Sequence, residues 1–211
     1  STFFPDPDVE TTSVDGRVRF GVSATTFAGV RDGVGTSASD TGTNDTAISI
    51  RSTATTDQWD LMDRGIYVFD TSSITDGSTI DSGTFSVVCG GNNGNNFSQT
   101  MDVVLSTTAA NTSLAASDYE GTVGNTTLQS DTQTAFASIT CDGVTYTDHT
   151  LNATGLTNVS STAVTKFGLK GSSDRTNTAP TWSSNLTAGK QIMTAENAGT
   201  STDPKLAVTY T

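Results

Sequence analysis

The chain has 211 residues and a formal net charge of −12, from 22 acidic and 10 basic side chains. So few, scattered cations cannot displace counterions from phosphates or hold an anionic bilayer, which excludes a nucleic acid or a membrane surface as partner. No apolar run approaches the roughly 20 residues of a membrane span. The opening STFFPDPDVE has neither the basic start nor the apolar stretch of a secretory signal, and synthesis in the cytoplasm without export is expected.

Hydrophobic residues are 33% of the chain and charged ones 15%, both below ordinary globular usage. Ser and Thr, roughly a third of the residues, fill the difference. Thr is β-branched and sits well on a half-exposed pleat. Short alternating apolar runs and only 4 prolines argue against disorder. The length suffices for one well-buried core.

Taken in chain order, Thr2–Val9 pairs Phe3 and Phe4 with Pro5 and Pro7. Proline is confined to sheet edges, so this is an edge strand or an extended arm. Phe3, Phe4, Pro5 and Pro7 are the expected contacts of that arm with a neighbouring subunit; the alternative is that they close their own sandwich. Residues 1–46 read as the arm and first strands of the same domain, with Ser37–Thr46 as a flexible loop. Residues 47–211 read as the sandwich proper.

Period-two alternation, the strand signal, appears at Ile48 and Ile50, at Phe85, Val87 and Cys89, and at Met101, Val103 and Leu105. It recurs at Phe167 and Leu169, then at Leu206, Val208 and Tyr210. Ile66–Phe69 is apolar on both faces and is expected to be central. Turn chemistry separates the runs at Asp15-Gly16, Asp32-Gly33, Asp76-Gly77, Gly90–Asn96, Asp142-Gly143 and Gly171–Asp174. Only Ser113–Tyr119 and Leu156–Thr162 suggest short helical turns. The pattern predicts an all-β protein, a single jelly-roll-like antiparallel β-sandwich with an extended N-terminal arm.

Arg64–Ile74 (RGIYVFDTSSI), DSGTFSVV, TKFGLKG and the final DPKLAVTYT resemble the jelly-roll modules of the DNRLRE type across about residues 47–211. The chain departs from that pattern at Ile74-Thr75, where Ile-Pro is usual. The resemblance implies a surface-exposed binding or packing module with no shared catalytic site. Phe4-Pro5-Asp6, Ser13-Val14-Asp15-Gly16 and Arg31–Gly35 are similar to the opening of tailed-phage virion proteins that carry this sandwich.

Candidate sites are sparse. His149 is the single histidine, too few for a multi-histidine zinc site, and reads as an exposed or edge-strand residue. No G-x-S-x-G elbow occurs. Asp57, Asp60 and Asp63 surround Trp59, but the segment reads as a loop into the central strand, so no catalytic residue is expected. Trp59 and Trp182 are the candidates for stacking on a glycan. No metal site is expected; calcium is the ion that would suit loop acids, with Asp40, Asn44 and Asp45 as weak candidates. Cys89 and Cys141 read first as two buried thiols, the alternative being an inter-strand disulfide.

The expectation is therefore a non-enzymatic structural protein of a tailed-phage virion, a capsid decoration or fibre-type appendage without a cofactor. Its partners would be itself as a homo-oligomer, most simply a trimer, and other virion proteins such as the major capsid protein. It would be made in the host cytoplasm and reside in the virion. The alternatives are an adhesive module at the cell surface binding host glycans, or an extracellular filament subunit.

Overall fold

The computed structural model describes residues 1–122 and 124–211, with the backbone alone for 45–47. Among these residues the chain is all-β and sandwich-like, built on one antiparallel ladder of twelve strands. These are β1 (Thr2–Phe3), β2 (Asp15–Thr25), β3 (Ser37–Ser39), β4 (Asn44–Ser52), β5 (Trp59–Asp70) and β6 (Ile80–Asn95). They continue with β7 (Thr100–Leu105), β8 (Thr134–Ala135), β9 (Tyr146–Thr150), β10 (Val164–Gly171), β11 (Thr187–Met193) and β12 (Lys205–Tyr210). Among the described residues, four short α-helices interrupt them: α1 (Phe27–Asp32), α2 (Asp118–Gly121), α3 (Ala153–Thr157) and α4 (Ser172–Thr176).

β5 is the central strand that the Ile66–Phe69 run predicts. Asp63 pairs with Arg19 of β2 and with Ser49 of β4, and Gly65 pairs with Arg17 of β2 and Leu169 of β10. One edge of β5 thus carries β2, and the other carries β4 and then β10. The first half of β6 pairs with β12 and β9, and its second half with β11. β6 therefore belongs to both layers.

Following the hydrogen bonds from β6 through β11, β4, β5, β10 and β7 leads to the segment 128–131. There Gln129 N donates to Val103 O (2.9 Å) and Asp131 N to Thr150 O (2.9 Å). The path then re-enters β9 and returns to β6, so the two layers are joined along both sides. The outermost strands β1, β3 and β8 have only two or three residues each, and β3 covers β2 only at Arg17–Arg19.

Directly paired residues share a face, which gives β5 two buried faces. On one, Tyr67, Phe69 and Phe167 surround Phe85 of the opposite layer at centroid distances of 5.1, 5.8 and 6.2 Å. On the other, Val18, Phe20, Met62, Arg64, Ile66 and Val68 are buried. There α1, α2 and α4 supply the third layer.

Three local expectations need correction. Ser37–Thr46 is not loop throughout: β3 pairs with β2 at Arg17–Arg19, and β4 begins at Asn44. Gly90–Asn96 is not a turn, because β6 runs on to Asn95. Its glycines admit close neighbours: a Cβ on Gly91 would fall 2.1 Å from Gln191 Oε1. α1 and α4 lack an apolar helical repeat and escape pattern reading; α1 is started by Thr26, whose Oγ1 accepts from Gly29 N (3.1 Å).

Candidate functional site

Arg64 is the most connected side chain of the β5 run. Its guanidinium is almost wholly buried and forms a two-pronged pair with Asp174 of α4, Nε to Oδ2 at 2.7 Å and Nη2 to Oδ1 at 2.9 Å. Nη1 donates to Tyr119 O (2.6 Å) and Nη2 to Arg31 O (2.7 Å), while the group lies 3.9 Å from the centre of the Tyr119 ring. One side chain on β5 thus ties down α1, α2 and α4. Burial alone would raise the Asp174 carboxyl, but Arg64, Lys170 and Arg31 hold it below the usual carboxylate range. With all three guanidinium nitrogens engaged, this cluster is a structural joint. Its signal in the sequence is an arginine inside an apolar strand, a position that burial forbids unless the charge is paired.

Cys89 of β6 and Cys141 form a disulfide, which corrects the expectation of two free thiols. Both lie in strand-like text with no signal for pairing. Their union follows from β6 and β9 being neighbours, with Cys141 on the approach to β9.

His149 lies on β9 but is fully buried, not exposed. Its register partner is Phe85, over which it stacks at 6.4 Å, and its Nε2 is 3.4 Å from Met101 Sδ. Burial pushes its pKa down, so it is a neutral core side chain. Trp59 is 2% exposed, edge-on to Phe27 (6.1 Å) and Phe97 (5.2 Å). Its ring is closed to a sugar, which removes Trp59 from the glycan candidates. Trp182 is half-buried against the core, and its indole nitrogen is enclosed without a hydrogen-bond partner.

The N-terminal segment folds onto its own sheet. Thr2 and Phe3 pair with Ala207 and Leu206 of β12, and Phe3 and Pro5 are buried. Phe3 and Pro5 are therefore not free for a neighbour, whereas Phe4 is half-buried and Pro7 exposed. Of the weak calcium candidates, Asp40 Oδ2 accepts from Leu114 N (2.8 Å), Asn44 opens β4, and the Asp45 side chain lies outside the described residues. Among the described residues, no three acidic, imidazole or thiol groups stand at ligand spacing.

An open, charged surface lies over the first half of β5. A concavity of about 370 Å³ is lined by Arg19, Ser49, Arg51, Leu61, Asp63 and Asn93 among others. Arg19 grips Asp63 with two bonds (2.6 and 3.0 Å) and Ser49 Oγ adds a third (2.5 Å). Arg51 holds Asp60 in the same way (2.7 and 3.1 Å). Each carboxylate is committed to a guanidinium, so neither is set as a base or nucleophile. The surface is suited to polar recognition through a fixed lattice of paired charges. A scan of family models and a search of curated proteins each found no match to this chain.

Proposed function

We propose that the chain is a non-enzymatic structural protein of a tailed-phage virion, a capsid decoration or fibre-type appendage that assembles with copies of itself. The observation that carries this reading is where the chemistry-bearing side chains reside. His149, Arg64, Lys170 and Lys190 are all enclosed in the sandwich, while the surface cations Arg19 and Arg51 are each paired with a carboxylate. The ladder joined along both sides and the Cys89–Cys141 bridge support a rigid module that presents a surface. The outermost strands are short, which favours copies meeting through side chains over strand addition. Closed symmetry, most simply a trimer, would multiply weak contacts.

Sedimentation of native material on a density gradient tests this. Co-migration with DNA-filled particles at a fixed ratio to the major shell protein is expected. Recovery with cell envelopes or free filaments would overturn it.

One observation favours a second reading, an adhesive module outside the cell: disulfides persist in oxidising surroundings. On that reading Trp182 is the remaining aromatic for a glycan. Retention on immobilised glycans that Trp182→Ala abolishes would support it.

A further inference from the structure

We propose, building on the self-assembly reading above, that copies of this chain associate head to tail, the exposed Asp8-Val9 step of one seating in the arginine-lined trough over β2, β4 and β5 of the next. The concavity at Arg19, Arg51 and Leu61 continues into a second of about 530 Å³, which shares those three residues and extends to Gly21, Val22 and Thr36. Register places Leu61 between Gly21 of β2 and Arg51 of β4. The trough therefore has an apolar floor, with Arg19 on one side and Arg51 on the other.

Cations are scarce elsewhere on the surface. Of the 10, Arg31, Arg64, Lys170 and Lys190 are buried. Arg175 is paired with Asp102, Lys166 donates to Thr108 O and Lys205 lies over the Tyr146 ring. The remaining Arg17, Arg19 and Arg51 gather around Asp60 and Asp63 on this one face. Arg51 stands furthest out, with a side chain 47% exposed; it grips Asp60 through Nε and Nη2, which leaves its Nη1 hydrogens for a second carboxylate. Val22, 45% exposed, adds an apolar rim.

The matching feature lies at the other end of the molecule. Val9 is 87% exposed, the most exposed large hydrophobic side chain among the described residues, and it stands between the exposed Asp8 and the half-buried Glu10. An apolar side chain flanked by acids complements an apolar floor flanked by arginines. Negative charge is crowded there, since burial raises the Glu10 carboxyl and Asp8 and Asp40 raise it further; a neighbour's guanidinium would relieve it. The segment is held away from its own trough. Asp6 fixes it by accepting from Thr11 N (3.0 Å) and Thr12 N (2.7 Å), and its continuation meets β5 where Val68 N donates to Val14 O. Val68 is seven residues along β5 from Leu61, about 23 Å at roughly 3.3 Å per residue. A contact between two different surfaces of one chain is heterologous, so it repeats from copy to copy and closes as a ring where the rotation allows.

Sedimentation velocity of the full chain at about 50 mM salt, where exposed charges are least screened, tests the contact. The wild type is expected to sediment as a trimer or larger. Arg51→Glu and Asp8→Arg, both at exposed positions, are each expected to weaken self-association at least tenfold and to leave the melting midpoint within a degree or two. An equimolar mixture of the two variants is expected to regain association, because every segment then faces a trough of opposite charge. Val9→Ser, which changes no charge, is expected to weaken association at least threefold and keeps the test open if a reversal fails to fold. Assemblies untouched by either reversal would overturn this contact and leave the assembly reading standing. A wild type that goes no further than a two-fold dimer would overturn the head-to-tail arrangement. A chain that stays monomeric at about 0.5 mM yet co-migrates with particles on the gradient would overturn the contact without touching the virion reading.

Discussion

Removing the Arg64 side chain would leave the Asp174 carboxylate buried with no two-pronged partner, and the carbonyls of Tyr119 and Arg31 each short of a donor. Breaking such a pair from one side costs about 3–5 kcal/mol. Arg64→Met is expected to lose that much in urea denaturation, and Arg64→Lys to recover little, because an ammonium cannot span both carboxylate oxygens. The double variant Arg64→Met with Asp174→Leu is expected to recover part of the loss by removing both charges. Asp203 gives a prediction of opposite character. Burial raises its carboxyl from 3.8 to about 6, so the folded state favours the protonated form. Its contribution is fully present below about pH 3.8 and is lost as pH rises through about 6. Wild-type stability relative to Asp203→Asn is expected to fall between pH 4 and pH 7. His149 runs the other way: its pKa is lowered by burial, so its contribution is present above the ordinary histidine value and declines as pH falls below it. The difference between wild type and variant separates the two.

At the scale of elements, most strands are legible from alternation because every second, apolar position packs into the core, even where a polar residue between them, such as Ser86 or Lys170, is buried as well. Ile48 and Ile50, Phe85 and Val87, Phe167 and Leu169, and Leu206 and Val208 are all buried as their spacing predicts. The failures have physical causes. β7 is buried on both faces from Met101 to Val104, with Asp102 held by Thr100 and Arg175, so its polar position does not mark a wet face. The turn reading of Gly90–Asn96 fails because glycine there serves close strand packing. The positions that attract functional readings, Trp59 and His149, lie in the core, and sequence alone does not show which face of a strand is covered. The Cys89–Cys141 bridge closes a loop across 52 positions, which constrains the unfolded chain by about 4 kcal/mol on the chain-entropy estimate. Reduction, or Cys89→Ser with Cys141→Ser, is expected to lower the melting midpoint by on the order of 10 °C. An unchanged midpoint would show that the bridge adds nothing to stability.

For the whole molecule, the assembly proposed above and the folding of the sheet would draw on different residues of the same segment. Phe3→Ala is expected to cost about 3 kcal/mol, since it empties a core position. Phe4→Ala is expected to leave the melting midpoint within a degree or two and to weaken self-association at least tenfold by analytical ultracentrifugation; unchanged association would sink the arm as a subunit contact. The doubly joined ladder also dictates when the protein can fold during synthesis. Phe85 of β6 waits for Leu206 of β12, its paired partner, and at about 5–20 residues per second that wait lasts roughly 6–24 s on the ribosome. Throughout it, the longest strand of the molecule trails from the exit tunnel with one edge unpaired, so nascent chains released early would be substrates for chaperones and prone to clump rather than stable half-sandwiches.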